Sequence, residues 1–270
     1  MIKAIIKKSK LWKTISKSGL YQKLRFPAKY KIQQEEPDFY KKFLKSHPAK
    51  NNLIFDVGAN MGHKSIIFSR LAKKVVAFEP SEKLFDFLQK RFNNSNVTLF
   101  NYALGNAVTD SDFYVVENNE AYNSLNKKHI ETTTTSRGIA TINTVKHKKV
   151  KVEVLENFIK KFGIPKYIKI DVEGYEYEVI KGLITPVPLL SFEVNLPEFL
   201  SESIQTINHL DLISSNKYRF NFATSNFFLN EKFIGKEDAI QFLRETALQY
   251  LEIYVKFDLD HTGSTRKRLY

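Results

Sequence analysis

LIFDVGANMGHKSIIFSRLAKKVVAFEP, from Leu53 to Pro80, is the stretch whose reading decides the fold. It opens on a short apolar run, turns at Gly58 and Gly62, passes through a helix-like segment, returns to an apolar run at 75–78 and closes on Glu79 and Pro80. Short β-branched or aromatic runs bounded by turn residues read as buried strands. Strand, helix and strand in succession read as one unit of a parallel sheet. Gly58 permits a backbone turn that a side chain blocks, and Gly62, opening the next helix, lets a ligand approach the backbone. Asp56 and Glu79 then fall at the carboxyl ends of two strands, where open parallel sheets bind their ligands. The Glu79 carboxylate can accept hydrogen bonds from both hydroxyls of a ribose, so the stretch describes a nucleoside-shaped pocket.

The alternation continues along the chain. Apolar runs predict further strands over 97–102, 167–172, 189–194, 219–222 and 252–257, and 113–116 reads as a strand of an insertion. Helices are expected over 64–71, 82–92, 155–162, 175–181, 203–214 and 236–246, with Gly182 closing the fourth. Between 118 and 149 the pattern weakens into polar residues, TTTTSRG among them, and reads as a long loop, either beside the site or simply solvated. The expected class is α/β, a parallel sheet covered on both faces. Three segments are expected: a basic helical extension over 1–50, one domain over 51–260 and a basic tail over 261–270.

With 270 residues, 43% of them hydrophobic, the chain can bury a sizeable core. It has no cysteine, which excludes disulfides, thiolate catalysis and cysteine-bound zinc, and fits a reducing cytoplasm. No run approaches the roughly 20 apolar residues of a membrane span, and the N-terminus alternates lysines with apolar residues where a signal peptide needs an unbroken stretch. The formal net charge of +13 is unevenly placed. From Met1 through Ile32 there are ten Lys/Arg and no acid, and Arg266, Lys267 and Arg268 add three at the other end. Taking those thirteen from 42 leaves 29 basic residues against 29 acidic ones. A neutral body argues against a basic groove built into the fold and for basic ends on a balanced domain. On a helical wheel, residues 1–17 set Ile2, Ile5, Ile6, Trp12 and Ile15 opposite Lys3, Lys7, Lys10 and Lys17. That pattern suits peripheral contact with an anionic membrane at the cytoplasmic face, or a helix that packs on the domain and shows its lysines to water.

Glycine spacing narrows the nucleoside. The dinucleotide fingerprint G-x-G-x-x-G is replaced by D-x-G-x-x-x-G, and no Walker lysine follows, so the ligand need not carry phosphate. Asp56 beside the turn suits a cationic ligand, and S-adenosylmethionine carries an ammonium and a sulfonium. A second cluster, YIKIDVEGYEYEVIKG at 167–182, puts Asp171 and Glu173 at the end of a candidate central strand, and Glu193 ends the next in LLSFEVN. Acids at successive strand ends repel one another, so a cation, a metal or a shared proton must offset them. The plainer alternative is a helix cap at Glu173 and a surface place for Glu193.

FDVGANMGHKS, AFEP, KIDVEGYEYEVIKG and SFEVN, in this order over about 53–195, resemble the FkbM family of S-adenosylmethionine-dependent methyltransferases. The resemblance implies a class I methyltransferase fold, a Rossmann-like, seven-stranded and mostly parallel sheet with a reversed last strand and helices on both faces. It implies S-adenosyl-L-methionine as cofactor and O-methylation of a hydroxyl on a sugar, glycolipid or natural product. Carried over residue by residue, Asp56, Gly58, Asn60 and Gly62 form the cofactor turn, and Glu79, followed by Pro80, holds the ribose. Ala103 and Leu104 line the adenine side, Asn123, Ser124 and Leu125 approach the cofactor, and Asp171 lies below the methionine moiety. Two departures stand out: Leu155-Glu156 where relatives often have Leu-Asp, and Asn195 where they often have His.

Asp171, Glu173 and Glu193 are the expected catalytic acids, one serving as base and the others orienting substrate hydroxyls or a divalent cation. No dedicated metal site is assigned. His63 is expected beside the cofactor, and His129 and His147 are candidates for a lid-borne base. The expected partner is a small-molecule or glycan acceptor and not nucleic acid. Rival readings are an RNA ribose O-methyltransferase using the basic ends, a nicotinamide-dependent oxidoreductase, which the glycine spacing disfavours, and a non-catalytic membrane-surface protein on the same fold.

Overall fold

The computed structural model describes residues 23–25, 27–49, 51–116, 119–135 and 145–259. The amphipathic helix expected over 1–17 and the basic tail lie outside the described residues. The chain divides into two compact units. Helix α1 (Pro27–Lys45) belongs to one, together with Ser225–Phe227. His47–Thr224 and the chain from Phe228 onward form the other, which carries the site. Among the described residues no helix is long and apolar enough to cross a membrane.

In the second unit the chain runs β1 (Leu53–Val57), α2 (His63–Leu71), β2 (Lys74–Phe78), α3 (Glu82–Arg91) and β3 (Val97–Phe100). It then passes through β4 (Ala103–Gly105), β5 (Thr109–Val116), a 3-10 turn (Glu120–Tyr122), α4 (Lys127–Thr135) and β6 (Val145–Val154). It re-enters the main sheet through α5 (Leu155–Phe162), β7 (Tyr167–Ile170), α6 (Glu176–Lys181) and β8 (Leu189–Asn195). The remaining elements are α7 (Leu200–Ile213), β9 (Tyr218–Thr224), β10 (Phe227–Phe228), α8 (Lys236–Glu245) and β11 (Tyr250–Phe257).

The main sheet has the order β3-β2-β1-β7-β8-β11-β9-β10. β1 pairs in parallel with β2 and β7, β2 with β3, and β7 with β8; β11 runs antiparallel to β8 and β9. These are the seven expected strands with the last one reversed, plus a two-residue strand at the edge. The chain steps outward from β1 to β3 and then returns to β7 on the other side of β1. That reversal opens a crevice at the carboxyl ends of β1 and β7, where ligands of such sheets sit. Strand alternation serves both faces. Val76 and Phe78 join the large core cluster, while Ala77 joins a second cluster with Leu88 and Phe92. Phe78 meets Phe55 and Phe158 edge-on, with ring centroids 5.9 and 4.6 Å away. Full burial of such a side chain contributes about 1.5–3 kcal/mol.

The region from 118 to 149 differs from the loop expected there. It contains the 3-10 turn, α4 and the first residues of β6, and β5 begins at Thr109, earlier than expected. β4, β6 and β5 form a separate three-stranded sheet, with β5 antiparallel to β6 and β4 parallel to it. The physical reason lies in VKHKKVKVEV, whose exposed first half carries lysines on both faces and so hides the two-residue period. Pairing along all eight residues of β5, which no local pattern reveals, supplies the strand's hydrogen bonds.

Candidate active site

A cavity of about 410 Å³, within the usual range for small-molecule sites, opens at the carboxyl ends of β1, β2 and β7. Gly58, Asn60, Glu79, Pro80, Ala103, Leu104, Ser124, Asp171 and Glu173, all expected site residues, lie on its wall. Gly58 has φ +83°, and a Cβ there would stand 1.8 Å from the Asp171 carbonyl oxygen. Only glycine lets the first turn close onto the end of β7. The amides of Gly58 and Ala59 both donate to the Phe78 carbonyl, at 3.1 and 2.9 Å. Asn60, also left-handed at φ +50°, aims its amide at Glu79 Oε2, 2.8 Å away. The Ser81 amide donates to Glu79 Oε1 at 2.9 Å. The Glu79 carboxylate is thus clamped by main chain at both oxygens, and each keeps acceptor capacity toward the cavity. Burial raises its pKa to about 7 against the pull of those two amides.

Two residues of the expected cofactor turn are not on the wall. Asp56 is fully buried, accepts the Ser65 hydroxyl at 2.5 Å and lies in the field of Lys169. It therefore serves the interior charge balance and does not face a ligand cation. At Gly62, φ +77°, the space of a Cβ is taken by Phe92 Cε2 at 2.7 Å and Leu88 Cδ2 at 2.8 Å. That glycine admits α3 against the start of α2, where a close ligand approach was expected.

At the ends of β7 and β8 stand the acids. Oxygens of Asp171, Glu173 and Glu193 lie within 4.8 Å of one another. The repulsion is relieved by a lysine and a proton. Lys169 Nζ, 3% exposed, meets Asp171 Oδ2 at 2.6 Å. Burial alone would lower its pKa, but Asp171, Asp56 and Glu252 outweigh that and hold it above the ordinary lysine range. Burial pushes Asp171 up, and Lys169 with the Glu193 hydrogen bond overcomes this and keeps it below the usual carboxylate range. Glu193 is driven the other way, well above its ordinary value, by burial and the charges of Asp171 and Glu173. Of the two carboxyls, Asp171 is thus the one that ionises more readily and Glu193 the one that holds its proton more tightly. Glu193 is set back from the cavity wall. It accepts Asn195 Nδ2 at 2.9 Å and lies 3.4 Å from the Tyr250 hydroxyl, so the asparagine orients this acid.

Sequence reasoning missed Lys169 and Glu176. The signal for Lys169 was a charge in the otherwise apolar strand YIKI, since a strand covered on both faces buries a charge only with a partner. Glu176 Oε1 accepts the amides of Val172 and Gly174, at 3.0 and 3.2 Å, and so holds the turn that presents Glu173 at φ +55°. Burial raises Glu176 to about 7.

The segment from Glu120 to Leu125 contributes to the cavity wall, and its ties hold it in place. Ser124 Oγ donates to the Glu173 carbonyl at 2.7 Å and Asn126 Nδ2 to that of Gly174 at 2.5 Å. Asn123 Oδ1 accepts the Val116 amide at 2.9 Å, and at the far side Glu120 pairs with Lys83. Of the histidines, His63 lines the cavity. His129 is buried on α4 with Nε2 3.4 Å from Glu173 Oε2. His147 packs against Tyr114 on the outer sheet and is not on the wall. Glu156 braces the chain after α6, accepting the amides of Ile184 and Thr185 at 3.1 and 3.0 Å.

The donor set fits S-adenosyl-L-methionine: a glycine cradle at Gly58, a clamped carboxylate at Glu79 for ribose hydroxyls, and the negative charge of Asp171 for the cationic end. Residues 56–220 match the family described as the methyltransferase FkbM domain. The hexuronic acid methyltransferase AglP of Haloferax volcanii is 27% identical over 147 residues, covering 54% of this chain and 55% of that protein. The chain thus spans about half the length of this relative. Among solved structures, the methyltransferase FkbM from Methylobacillus flagellatus is 13% identical with TM-score 0.46, over 76% of this chain and 43% of that one. The precorrin-6y C5,15-methyltransferase from Geobacter metallireducens is 12% identical with TM-score 0.40, over 80% and 85%. With well over half of its residues inside the matched domain, the chain belongs to the FkbM family of S-adenosyl-L-methionine-dependent methyltransferases.

Proposed function

We propose that this chain is an O-methyltransferase whose acceptor is a sugar hydroxyl, in a glycan, glycolipid or related small molecule, with hexuronic acids as the leading class. The observation that carries the reading is the acid set at the ends of β7 and β8, which divides into unlike roles. Bound S-adenosyl-L-methionine supplies an electrophilic methyl group, so the chain's task is alignment of an oxygen nucleophile and removal of its proton. Gly58, Asn60, Glu79, Pro80, Ala103, Leu104 and Ser124 hold the nucleoside. Asp171, kept ionised by Lys169, faces the cationic end. Glu193 keeps its proton and steadies Asp171. Glu173 is on the wall, half-buried and backed by His129, and takes the acceptor proton on its carboxylate. The sugar class draws support from the hexuronic acid methyltransferase relative.

The test has two steps. Calorimetric titration with S-adenosylhomocysteine, with Glu79→Ala and NAD as controls, should give binding that the variant loses and NAD lacks. Transfer of labelled methyl from the cofactor should then go to uronic-acid oligosaccharides and not to RNA. Label in RNA ribose, with none in sugars, would overturn the proposal.

A further inference from the structure

The body's charge balance, which argued against a basic groove, hides a local excess. A second and larger cavity, about 810 Å³, lies beside the cofactor cavity, between α3, the end of β3 and the face of β6. Its wall carries five lysines, Lys83, Lys146, Lys148, Lys149 and Lys151, against two glutamates, Glu82 and Glu120. Lys149 meets Asp112 at 3.0 Å and Lys83 meets Glu120, and four of the five lysines stand on β6. The floor is apolar and partly aromatic: Phe85, Leu99, Phe100, Tyr102 and Phe113. Phe100 and Tyr102 lie nearly parallel, at 15°, with centroids 6.1 Å apart. Pro80, Tyr102, Phe113 and Glu120 belong to both walls, so the groove opens where the ribose and adenine would sit, away from the acids.

We propose that this groove binds the acidic part of the acceptor's glycan chain, carboxylate-bearing sugars beyond the one that is methylated. The chemistry is complementary in both parts. Lysines on a strand rim meet carboxylates spaced along a chain, and flat ring faces below them pack on the C–H faces of sugar rings. A polar wall without an apolar floor would attract any anion, and an apolar floor without the lysines would not select charge. The groove's place at the adenosine end excludes it as the seat of the reacting hydroxyl and leaves it to neighbouring sugars of the same chain.

This inference rests on the sugar-acceptor reading, yet binding in the groove is measured without turnover, so the two fail separately. Tetragalacturonate, its fully amidated neutral counterpart and a single-stranded oligoribonucleotide are titrated into the full chain at low and high salt. S-adenosylhomocysteine affinity reports an intact fold and cofactor cavity. The expected result is tetragalacturonate binding that weakens with salt, that the neutral oligomer lacks, and that the Lys146→Glu/Lys148→Glu variant, altered on the strand face that carries Phe113 and Val115, loses by about tenfold or more while keeping S-adenosylhomocysteine affinity. Equal binding of the neutral oligomer, or unchanged tetragalacturonate binding in the variant, overturns it. Binding of the oligoribonucleotide without tetragalacturonate overturns it too, and assigns the groove to nucleic acid.

Discussion

The two ends of the cofactor cavity are made of different material. At the end proposed for the ribose the geometry is set by main chain: Gly58 and Asn60 in left-handed conformations, and amides of Asn60 and Ser81 clamping Glu79. At the end proposed for the acceptor it is set by side chains that titrate against one another, with Lys169 and Asp171 favoured in their charged forms and Glu193 in its protonated form. A main-chain site admits few substitutions and is indifferent to pH except through the group it clamps. A side-chain site tolerates substitution sterically and is retuned by each proton.

The largest effect that separates the ends is expected at Gly58. Gly58→Ala sets a methyl group 1.8 Å from the Asp171 carbonyl at φ +83°. Relief requires β1 and β7 to part, at a cost of at least about 3–4 kcal/mol. Loss of S-adenosylhomocysteine binding together with a lowered thermal midpoint is expected. Wild-type binding in this variant would remove the main-chain account of the ribose end. Next come the acids. Glu173→Gln is expected to lower kcat by about 10²–10⁴ with S-adenosylhomocysteine affinity unchanged, the size of a lost general base. Asp171→Asn is expected to weaken both if its charge faces the cofactor as proposed. If Glu173→Gln turns over normally, the proton goes elsewhere.

Glu176 supports the acceptor end from behind, and its effect is read in stability. Its pKa in the fold is about 7, raised from 4.5 by burial. The neutral form is therefore the one the fold favours. That contribution is complete below about pH 4.5 and disappears as the pH rises through 7, a difference on the order of 3 kcal/mol. Glu176→Gln stays neutral, and its carbonyl can still accept the Val172 and Gly174 amides. Denaturant unfolding is expected to show wild type and variant alike at pH 5 and the variant more stable at pH 8. An equal gap at both pH values would mean that Glu176 is ionised throughout.

The places of Gly58 and Glu79 on the cavity wall were legible in the chain because main-chain geometry leaves a residue signature. A glycine at a strand end and an acid followed by proline at the next mark Gly58 and Glu79 directly. Gly62 carries the same signature for another cause, the approach of Leu88 and Phe92, and one sequence does not distinguish a glycine that admits a ligand from one that admits a helix. Asp56 was misplaced for a related reason: its position at a strand end is visible, whereas the direction of its side chain depends on Ser65 and Lys169. The main sheet was legible because strands buried on both faces are continuous apolar runs. The outer sheet was not, because its strand β6 hides its period under lysines and finds its partner only in three dimensions. The same lysines cancel in the summed charge and gather in space, which is why the groove escaped composition.

The smallest expected effect is the sharpest test of the contrast, since it asks whether a main-chain clamp can still be read by pH. Ribose hydroxyls donate hydrogen bonds, so they favour the ionised Glu79, whose pKa without ligand is about 7. Below that value binding must first remove a proton, and S-adenosylhomocysteine affinity is expected to fall by about tenfold per pH unit; above it the affinity is flat. Glu79→Gln has no such proton. Its amide group also turns one N–H toward an amide of Asn60 or Ser81 that the carboxylate had accepted, so its affinity at pH 8 is expected to drop about tenfold or more. The offset therefore mixes two causes, while the slope has one. Titrations at pH 5.5, 6.5 and 8 are expected to converge toward acid because only the wild type loses affinity there. Parallel curves for the two proteins would show that Glu79 does not meet the ribose, and would move the ribose contact to side chains that no main-chain clamp holds, leaving the two ends of the cavity alike.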